Sequence, residues 1–384
     1  MSENSSAFPS EVYRSRIAAA QQQARTNGVA ALVISPGAEF AYFTGSWMSS
    51  HERFSALAIP AEGEAFLLAP ATDGAELAAA PVAELNLAFH GWQDGTNAHA
   101  LAADKLREAH GAAAEDGARL AVSGVMDAAH LLGLQAQFPS AQWVAADQVI
   151  GALFSRKDGE EIAQLRAAAL AIDAVHARVP SLLQPGVTEQ QVADQLEELI
   201  LQEHDAVDFV IVGSGPNGAN PHHTFSERVL SDGDPVVVDI GGTFGAGYHS
   251  DCTRTYVVSG DASRAPEDFQ AAYEVLRQAH AAGMQQARRG ATAGSVDDAC
   301  RTVITDAGWG DYFSHRTGHG IGLSTHEEPF IAAGNDLELA ESMTFSIEPG
   351  IYKEGEWGMR LEDIVTINGD GVAESLNEGE RDLR

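Results

Sequence analysis

The sequence predicts two domains, an α/β domain followed by an α+β domain. The chain has 384 residues, of which 45% are hydrophobic and 20% charged, so it can build two hydrophobic cores. Within residues 1–150, strand-like runs alternate with helical stretches, as in α/β domains. Beyond residue 205, strand-like runs predominate, and several of them contain an isolated acidic residue.

The first domain begins with an amphipathic pattern that predicts a helix over residues 11–27. The apolar run Ala30–Ser35 predicts a buried strand, and the Pro-Gly pair after it predicts a turn. The remaining elements are short strands near Ala38–Thr44, Ala56–Ile59 and Ala65–Ala69, and Ala-rich helices near 72–79 and 97–114.

A polar stretch, Ser155–Gly159, marks the boundary and divides the chain into domains 1–154 and 155–384. After it, Glu160–Leu183 predicts one long amphipathic helix that ends before a Pro-Gly pair. Thr188 is a suitable N-cap for the next helix, which is expected to reach Glu203.

The rest of the second domain combines strands with two helices. Strands are expected at Phe209–Val212, Val236–Gly241 and Asp251–Val258, helices at Pro266–Arg288 and Ser295–Ala307, and three more strand runs follow. Because helices are followed by strands twice, we expect an internal duplication whose strands form one curved sheet.

Four carboxylates and one imidazole in this domain each lie inside an apolar, strand-like run. They are Asp239, Asp251, His319, Glu348 and Glu362. A lone buried carboxylate is costly, so acids inside strands are normally paired, protonated or bound to metal. Four of them beside one another require cations. The set therefore predicts a site for two divalent metal ions.

The chemistry of these donors limits the choice of metal. Carboxylates with a single imidazole suit Mn²⁺, Co²⁺, Fe²⁺ or Zn²⁺. Neither Cys252 nor Cys300 falls at a ligand spacing, which disfavours ions that prefer thiolates. We take Mn²⁺ as the first choice, with Co²⁺ or Zn²⁺ as alternatives.

Charge and cysteine content restrict the partners and the compartment. The formal net charge of -32 argues against binding to nucleic acid or to an anionic membrane. The N-terminus lacks a basic and apolar signal sequence, and no apolar run is long enough to span a bilayer. With only 2 cysteines, the sequence predicts a cytoplasmic protein.

The five motifs resemble those of the metallopeptidases with the pita-bread fold, which include methionine aminopeptidase, prolidase, aminopeptidase P and the metal-free creatinase. The resemblance covers nearly the whole chain, because an α/β domain of this size also precedes the catalytic domain in prolidase, aminopeptidase P and creatinase. It implies a pita-bread catalytic domain and a homodimer. It makes Asp239 a ligand of one metal, His319 and Glu348 ligands of the other, and Asp251 and Glu362 bridges between both.

The spacing departs from the family pattern at one place. The gap between Asp239 and Asp251 is one residue longer than is usual in the relatives. Gly245 and Gly247 lie in that gap and can absorb the extra residue in a longer hairpin loop or a bulge.

The resemblance also suggests residues that contact substrate. They are His222, His315 and His326. The positions of two further residues also make them candidates to contact substrate, Tyr352 four residues after Glu348 and Arg360 two residues before Glu362, and Arg360 is also expected to contact a carboxylate ligand. Three other histidines, His223, His249 and His280, are interpreted as surface or packing residues.

The activity that the resemblance implies is metal-assisted hydrolysis of the Xaa-Pro bond at a peptide N-terminus. Glu348 would take a proton from water and pass it to the leaving nitrogen, and His326 would stabilise the oxyanion. His222 would line the pocket for the proline ring. Three classes compete, namely aminopeptidase P, prolidase, which accepts only dipeptides, and a metal-free creatinase-like hydrolase or binding protein.

The choice between aminopeptidase P and prolidase depends on whether the protein has a cation that binds the free carboxylate of a dipeptide substrate. Prolidases typically anchor it with an arginine between the second histidine and the Glu-Pro-Gly motif. Residues 327–347 contain no Arg or Lys, so a free carboxylate beside the acidic ligands would be repelled. The sequence therefore predicts aminopeptidase P. Prolidase activity would need a basic residue from the first domain or from a partner subunit.

Overall fold

The computed structural model describes residues 7–49, 51–110 and 117–383. The chain forms two units, Met1–Phe154 and Ser155–Arg384, each with its own hydrophobic core. None of the helices in the described ranges is long and apolar enough to cross a membrane.

The first unit contains a six-stranded sheet with the strand order β4-β3-β2-β1-β5-β6. The strands are β1 (Ala31–Ile34), β2 (Ala56–Pro60), β3 (Phe66–Pro70), β4 (Ala88–Trp92), β5 (Arg119–Val122) and β6 (Gln142–Ala145). The helices are α1 (Ser10–Thr26), α2 (Ala38–Thr44), α3 (Gly74–Ala79), α4 (Ala98–His110), α5 (Ala128–Gln137) and α6 (Asp147–Ser155). Strand β1 is parallel to β5 and antiparallel to β2, so the predicted α/β character is confirmed.

The strand predicted at residues 38–44 is wrong, because this segment forms α2. Phe40–Thr44 are all buried, and a helix satisfies their backbone groups inside the segment. The Thr44 hydroxyl donates to the Phe40 carbonyl at 2.6 Å, and Gly45 ends the helix with a φ of 66°. Of the helix predicted at 97–114, residues 111–114 lie outside the described residues.

The second unit contains five helices among its described residues. They are α7 (Gly159–His176), α8 (Val179–Leu182), α9 (Glu189–Glu203), α10 (Glu267–Gln286) and α11 (Ala293–Asp306). The single helix predicted up to Leu183 is wrong, because α7 ends at His176 and a separate helix, α8, begins at Val179 with Pro180 in its first turn. The predicted N-cap is confirmed, since the Thr188 hydroxyl accepts a hydrogen bond from the Gln191 backbone.

The strands of the second unit belong to three sheets. They are β7 (Ala206–Ser214), β8 (Pro235–Phe244), β9 (Tyr248–His249), β10 (Cys252–Val257), β11 (Gly318–Gly320), β12 (Glu327–Ile331), β13 (Thr344–Ile347), β14 (Gly350–Lys353), β15 (Trp357–Arg360), β16 (Asp363–Ile367) and β17 (Ala373–Ser375). One sheet has the order β10-β8-β7 with β9 beside β8, another the order β12-β11-β13-β16-β17, and β14 pairs with β15.

The expectation of one curved sheet is therefore wrong. Pro349, directly after Glu348, has no backbone N–H and separates β13, which pairs with β16, from β14, which pairs with β15. The sheets still meet, because the Glu362 backbone N–H donates to the Thr253 carbonyl at 3.1 Å. The predicted internal duplication stays a prediction.

The segment between Asp239 and Asp251, which is one residue longer than is usual in the relatives, forms the expected hairpin. Thr243 lies opposite His249 in the β8–β9 pair. Gly245 and Gly247 at its tip have φ angles of 62° and 95°, which side chains other than glycine rarely adopt.

A buried histidine, His176, ties the end of α7 to β10. Its Nε2–H donates to the Cys252 carbonyl at 2.9 Å, and its Nδ1 lies 2.9 Å from the Tyr256 hydroxyl. A neutral imidazole can make both contacts. Burial, followed by the charge of Arg254, lowers the pKa of His176 to about 3.

This low pKa predicts a specific acid sensitivity. In the unfolded chain a histidine titrates at about 6.5, so below that pH the unfolded chain binds a proton that the folded chain does not. As the pH falls from roughly 6 to 4, we expect His176 to lower the free energy of unfolding by about 1.4 kcal/mol for each pH unit. Urea unfolding of the wild type and of His176→Gln at pH 7 and pH 5 measures this. The stability difference between the two proteins should shrink at pH 5, and an unchanged difference would contradict the neutral buried state.

Candidate metal centre

All five predicted donors come together where the sheets of the second unit meet. Asp239 lies in β8, Asp251 directly precedes β10, His319 is the middle residue of β11, Glu348 directly follows β13, and Glu362 directly precedes β16. Four of them are buried, and Glu348 is slightly more exposed. Residues that are far apart in the sequence thus form a single cluster.

Two glycines allow β11 to place its histidine between two neighbouring strands. A Cβ atom at Gly318 would collide with the Ser346 carbonyl of β13, and one at Gly320 would collide with the Glu328 carbonyl of β12. Only glycine fits at both positions. This close packing explains the Gly-His-Gly pattern around His319.

The donor atoms form three overlapping groups. They are Asp239 with Asp251 and Glu362, His319 with Glu348 and Glu362, and Asp251 with His319 and His326. Within each group the ligand atoms lie within 4.8 Å of one another. Because Glu362 and Asp251 each belong to two groups, the geometry is suited to two neighbouring ions with shared carboxylates.

The orientation of His319 is fixed from one side. Its Nδ1–H donates to the Gly320 carbonyl at 3.1 Å. Its Nε2 faces the cluster, 3.3 Å from Glu348 Oε1 and 3.6 Å from Asp251 Oδ2. A backbone acceptor on one ring nitrogen leaves the other for a metal ion.

The electrostatics of the cluster favour the binding of positive charge. Burial, and then the neighbouring carboxylates, raise the pKa of Asp251 and of Glu362 well above their usual values. Burial also raises the pKa of Asp239, although Arg360 opposes the effect. Asp239 Oδ1 and Glu362 Oε1 are buried and accept no hydrogen bond from a described residue. These residues therefore fit divalent cations.

Glu348 differs from the other three acids. Burial alone would raise its pKa, but the hydrogen bond with His319 and the positive charges nearby outweigh burial and lower the pKa to about 2. Those charges include His315 and Arg360. An ionised Glu348 at the edge of the cluster can accept a proton or bind a cation.

A network behind the donors holds them in place. Arg360 donates to Asp239 Oδ2 through Nη2 and to the Thr253 hydroxyl through Nε at 2.9 Å. Thr253 in turn donates to Glu362 Oε2 at 2.7 Å. Arg360 Nη1 also reaches the Tyr352 hydroxyl at 2.8 Å. Arg360 therefore contacts a predicted ligand, as the sequence suggested.

Tyr352 and His315 extend this network. The Tyr352 hydroxyl lies 2.9 Å from His315 Nε2, and His315 Nδ1 lies 2.6 Å from the Arg316 carbonyl. Tyr352 is buried, so its hydroxyl is directed to Arg360 and His315. This arrangement orients the donors from behind.

A cleft of about 630 Å³ opens onto the cluster. Its lining includes the predicted residues His222, His315 and His326, and the apolar side chains Phe209, Ile211, Pro221 and Phe225. The ring centres of His326 and His319 lie 3.9 Å apart. Burial, and then the charges of His319 and Arg316, lower the pKa of His326 to about 4, so its imidazole is neutral near pH 7.

One cleft residue, Arg316, had no role in the sequence interpretation. Its guanidinium lies 4.5 Å from the centre of the Phe330 ring. Among the described residues, no carboxylate forms an ion pair with it. The sequence offered little signal, because Arg316 precedes His319 by three residues and alternate side chains of an extended run face opposite ways.

A carboxylate-rich cluster of donors at the base of a cleft is typical of metal-dependent hydrolases. The model of metallopeptidase family M24 matches residues 163–369, and that of the creatinase/prolidase N-terminal domain matches residues 16–153. The chain belongs to metallopeptidase family M24. The pita-bread fold that the motifs predicted is confirmed.

Several known proteins are similar over nearly the full chain. A protein named "Probable dipeptidase PepE" from Mycobacterium tuberculosis is 46% identical over 371 residues, which cover 96% of each chain. The Xaa-Pro dipeptidase of Lactobacillus helveticus is 36% identical and covers 89% of this chain and 91% of its own. The crystal structure of dipeptidase PepE from Mycobacterium ulcerans has a TM-score of 0.92 at 45% identity and covers 98% of both chains.

Proposed function

We propose that this protein is a dipeptidase that hydrolyses Xaa-Pro dipeptides with the help of two divalent metal ions. The observation that carries this proposal is the position of Arg316, a cation without an acidic partner among the described residues, in the same cleft as the five donors. The names of the relatives agree with a dipeptidase. The proposal replaces our first expectation, aminopeptidase P, by the alternative activity, that of a prolidase.

Arg316 answers the argument that favoured aminopeptidase P. That argument required a basic residue between 327 and 347 to bind a dipeptide carboxylate. The guanidinium of Arg316 instead enters the cleft from the segment before His319 and packs on Phe330, which lies inside that interval. A guanidinium can bind a carboxylate through two parallel hydrogen bonds. The cation therefore comes from the catalytic unit itself.

The backbone on both sides of Arg316 is held by an ion pair whose carboxylate is buried. Asp297 accepts hydrogen bonds from the Thr317 backbone and hydroxyl, each at 2.9 Å. Arg301, which pairs with Asp297, donates to the His315 carbonyl at 2.9 Å. A fixed backbone reduces the entropy lost when the side chain binds a ligand.

The donor cluster would hold the ions through Asp239, Asp251, His319, Glu348 and Glu362. Bound there, divalent ions lower the pKa of water and polarise the scissile carbonyl. Glu348 takes the proton as the water oxygen bonds to the carbonyl carbon. It then gives this proton to the prolyl nitrogen as the C–N bond breaks.

Two histidines complete the proposed site. The neutral imidazole of His326 donates a hydrogen bond to the oxyanion that forms on the carbonyl oxygen. His222 lines the pocket with Phe225 and Pro221, where a proline ring without an N–H can be accepted. We further propose Mn²⁺ as the metal, a homodimer as the assembly and the cytoplasm as the location.

Substitution of Arg316 tests the dipeptidase proposal. Arg316→Gln should raise KM for Xaa-Pro dipeptides by about 10-fold to 100-fold, the value of one charge-assisted hydrogen bond. KM for Xaa-Pro-Xaa tripeptides should change much less. Arg264→Gln, which removes an exposed arginine paired with Asp232, is the control. An equal loss for both substrate lengths would contradict a role in binding the carboxylate.

A further inference from the structure

The wall of the cleft that carries His222 belongs to a segment with little regular structure. Residues 214–226, here called the 214–226 segment, follow β7 and contain one short 3-10 turn, Gly215–Ala219. His222 and Phe225 of this segment line the cleft. Something outside the segment must therefore fix its path.

A single buried carboxylate, Glu189, contacts this segment at four places. Glu189 is the first residue of α9 and is fully buried. It accepts from the Ser214 backbone at 2.7 Å and hydroxyl at 2.5 Å, and from the Ser226 hydroxyl at 2.6 Å. Asn217 Nδ2 donates to it at 3.1 Å, and His223 Nε2 lies 2.9 Å from Oε2. Both ends and the middle of the segment are thus tied to one side chain.

The contacts require an ionised Glu189. Burial would raise the pKa of Glu189, but hydrogen bonds from Ser214, Ser226 and His223 outweigh burial and lower it. A carboxylate accepts at both oxygens, whereas a glutamine side chain would direct an NH₂ group at some of these donors. The contacts of Glu189 with Ser214, Asn217, His223 and Ser226 are here called the clamp. The clamp therefore depends on the charge of Glu189.

His222 lies between the clamped positions. The imidazole of His222 makes no hydrogen bond to any residue that the structure describes, and its backbone N–H donates to Asn220 Oδ1 at 3.1 Å. Its neighbour His223 is bound to Glu189. His222 and His326 line the same cleft. The placement of His222 in the cleft thus depends on the residues around it.

We propose that Glu189 is a positioning residue that holds His222 against the substrate through the 214–226 segment. The inference rests on the proposed function only for the role of His222 in substrate binding. His223, interpreted from the sequence as a surface or packing residue, is one of the links in this clamp.

Kinetics of Glu189→Gln test the proposal. We expect KM for an Xaa-Pro dipeptide to rise about tenfold, with metal content unchanged. Glu189→Asp, which keeps the charge, should recover part of the loss. Thr188→Ala is the matched control, because it weakens the N-cap of the same helix without removing a contact to the segment. If Thr188→Ala raises KM as much as Glu189→Gln, the effect is one of helix stability and the proposal is wrong.

A double-mutant cycle shows whether Glu189 acts through His222. In a His222→Ala background, Glu189→Gln should change KM by less than about twofold, because coupled residues are not additive. The same tenfold rise in that background, or no effect of His222→Ala alone, would overturn the proposal.

A readout without substrate separates this inference from the proposed function. The NMR signal of the His222 ring should shift or broaden in Glu189→Gln and stay unchanged in Thr188→Ala. An unchanged signal in Glu189→Gln would contradict the clamp even if the enzyme is active. A shifted signal in a protein that cleaves no dipeptide would leave the clamp valid and reject the proposed function.

Discussion

Removal of divalent metal ions is expected to abolish peptide hydrolysis. Four carboxylates lie around His319, and two of their buried oxygens lack a hydrogen-bond donor among the described residues. Their own charges cannot bind or polarise a substrate carbonyl, so catalysis requires the cations. Elemental analysis should find close to two ions per chain before chelation, and activity should return when Mn²⁺ is added.

Glu362→Gln provides the variant for this experiment. Glu362 belongs to two of the three donor groups, so its loss should lower the occupancy of both ions. Asp268→Asn, which removes a carboxylate on α10 that pairs with Lys353, should leave metal content and activity unchanged. Full turnover by a sample shown to be free of metal would contradict the proposed mechanism.

Glu348→Gln is expected to lower kcat by about 10³-fold or more, because one side chain both binds a cation and accepts the proton of water. Glutamine keeps the size of the side chain and removes its basicity. Steady-state kinetics on metal-saturated protein measure the effect. A variant that keeps wild-type kcat would show that another group is the base.

His326→Ala distinguishes the loss of a hydrogen-bond donor from the loss of a ligand. It should lower kcat by about 10²-fold to 10⁴-fold while the metal content is retained. Because His326 lies close to His319 and Asp251, its donor atom could also reach a cation. Loss of metal in His326→Ala would assign it to the metal site.

The donor cluster could be predicted because each member disagrees with its local surroundings. An acid such as Asp239 or Glu362 in an apolar, strand-like run is costly to bury, and the same conflict occurs at all four acidic positions. The N-cap Thr188 is also a local signal, and its capping contacts lie within three residues.

Other features depend on contacts that no local pattern shows. Five consecutive residues of the helix Ala38–Thr44 are buried, so its apolar pattern did not separate helix from strand. Arg316, which lies before β11, packs on the Phe330 ring of β12. Glu189 lies 25 residues before Ser214, the first residue that it binds in the 214–226 segment. Such pairs are defined only by the folded chain.

The position of Arg316 also explains why the sequence interpretation found no cation for the substrate carboxylate. The interval 327–347 has no basic residue, but the cleft is built from several segments, and a long side chain can reach it from outside that interval. The positive charge near the donors therefore comes from a segment outside residues 327–347.

The most direct test of the dipeptidase proposal compares two substrate lengths on the wild-type protein. Protein reconstituted with Mn²⁺ is offered Xaa-Pro dipeptides and the matching Xaa-Pro-Xaa tripeptides, and kcat/KM is measured for both. Because Arg316 can bind a carboxylate next to the proline ring, we expect kcat/KM to be at least about tenfold higher for the dipeptides. A higher kcat/KM for the tripeptides would contradict the proposal and identify the activity as that of an aminopeptidase P.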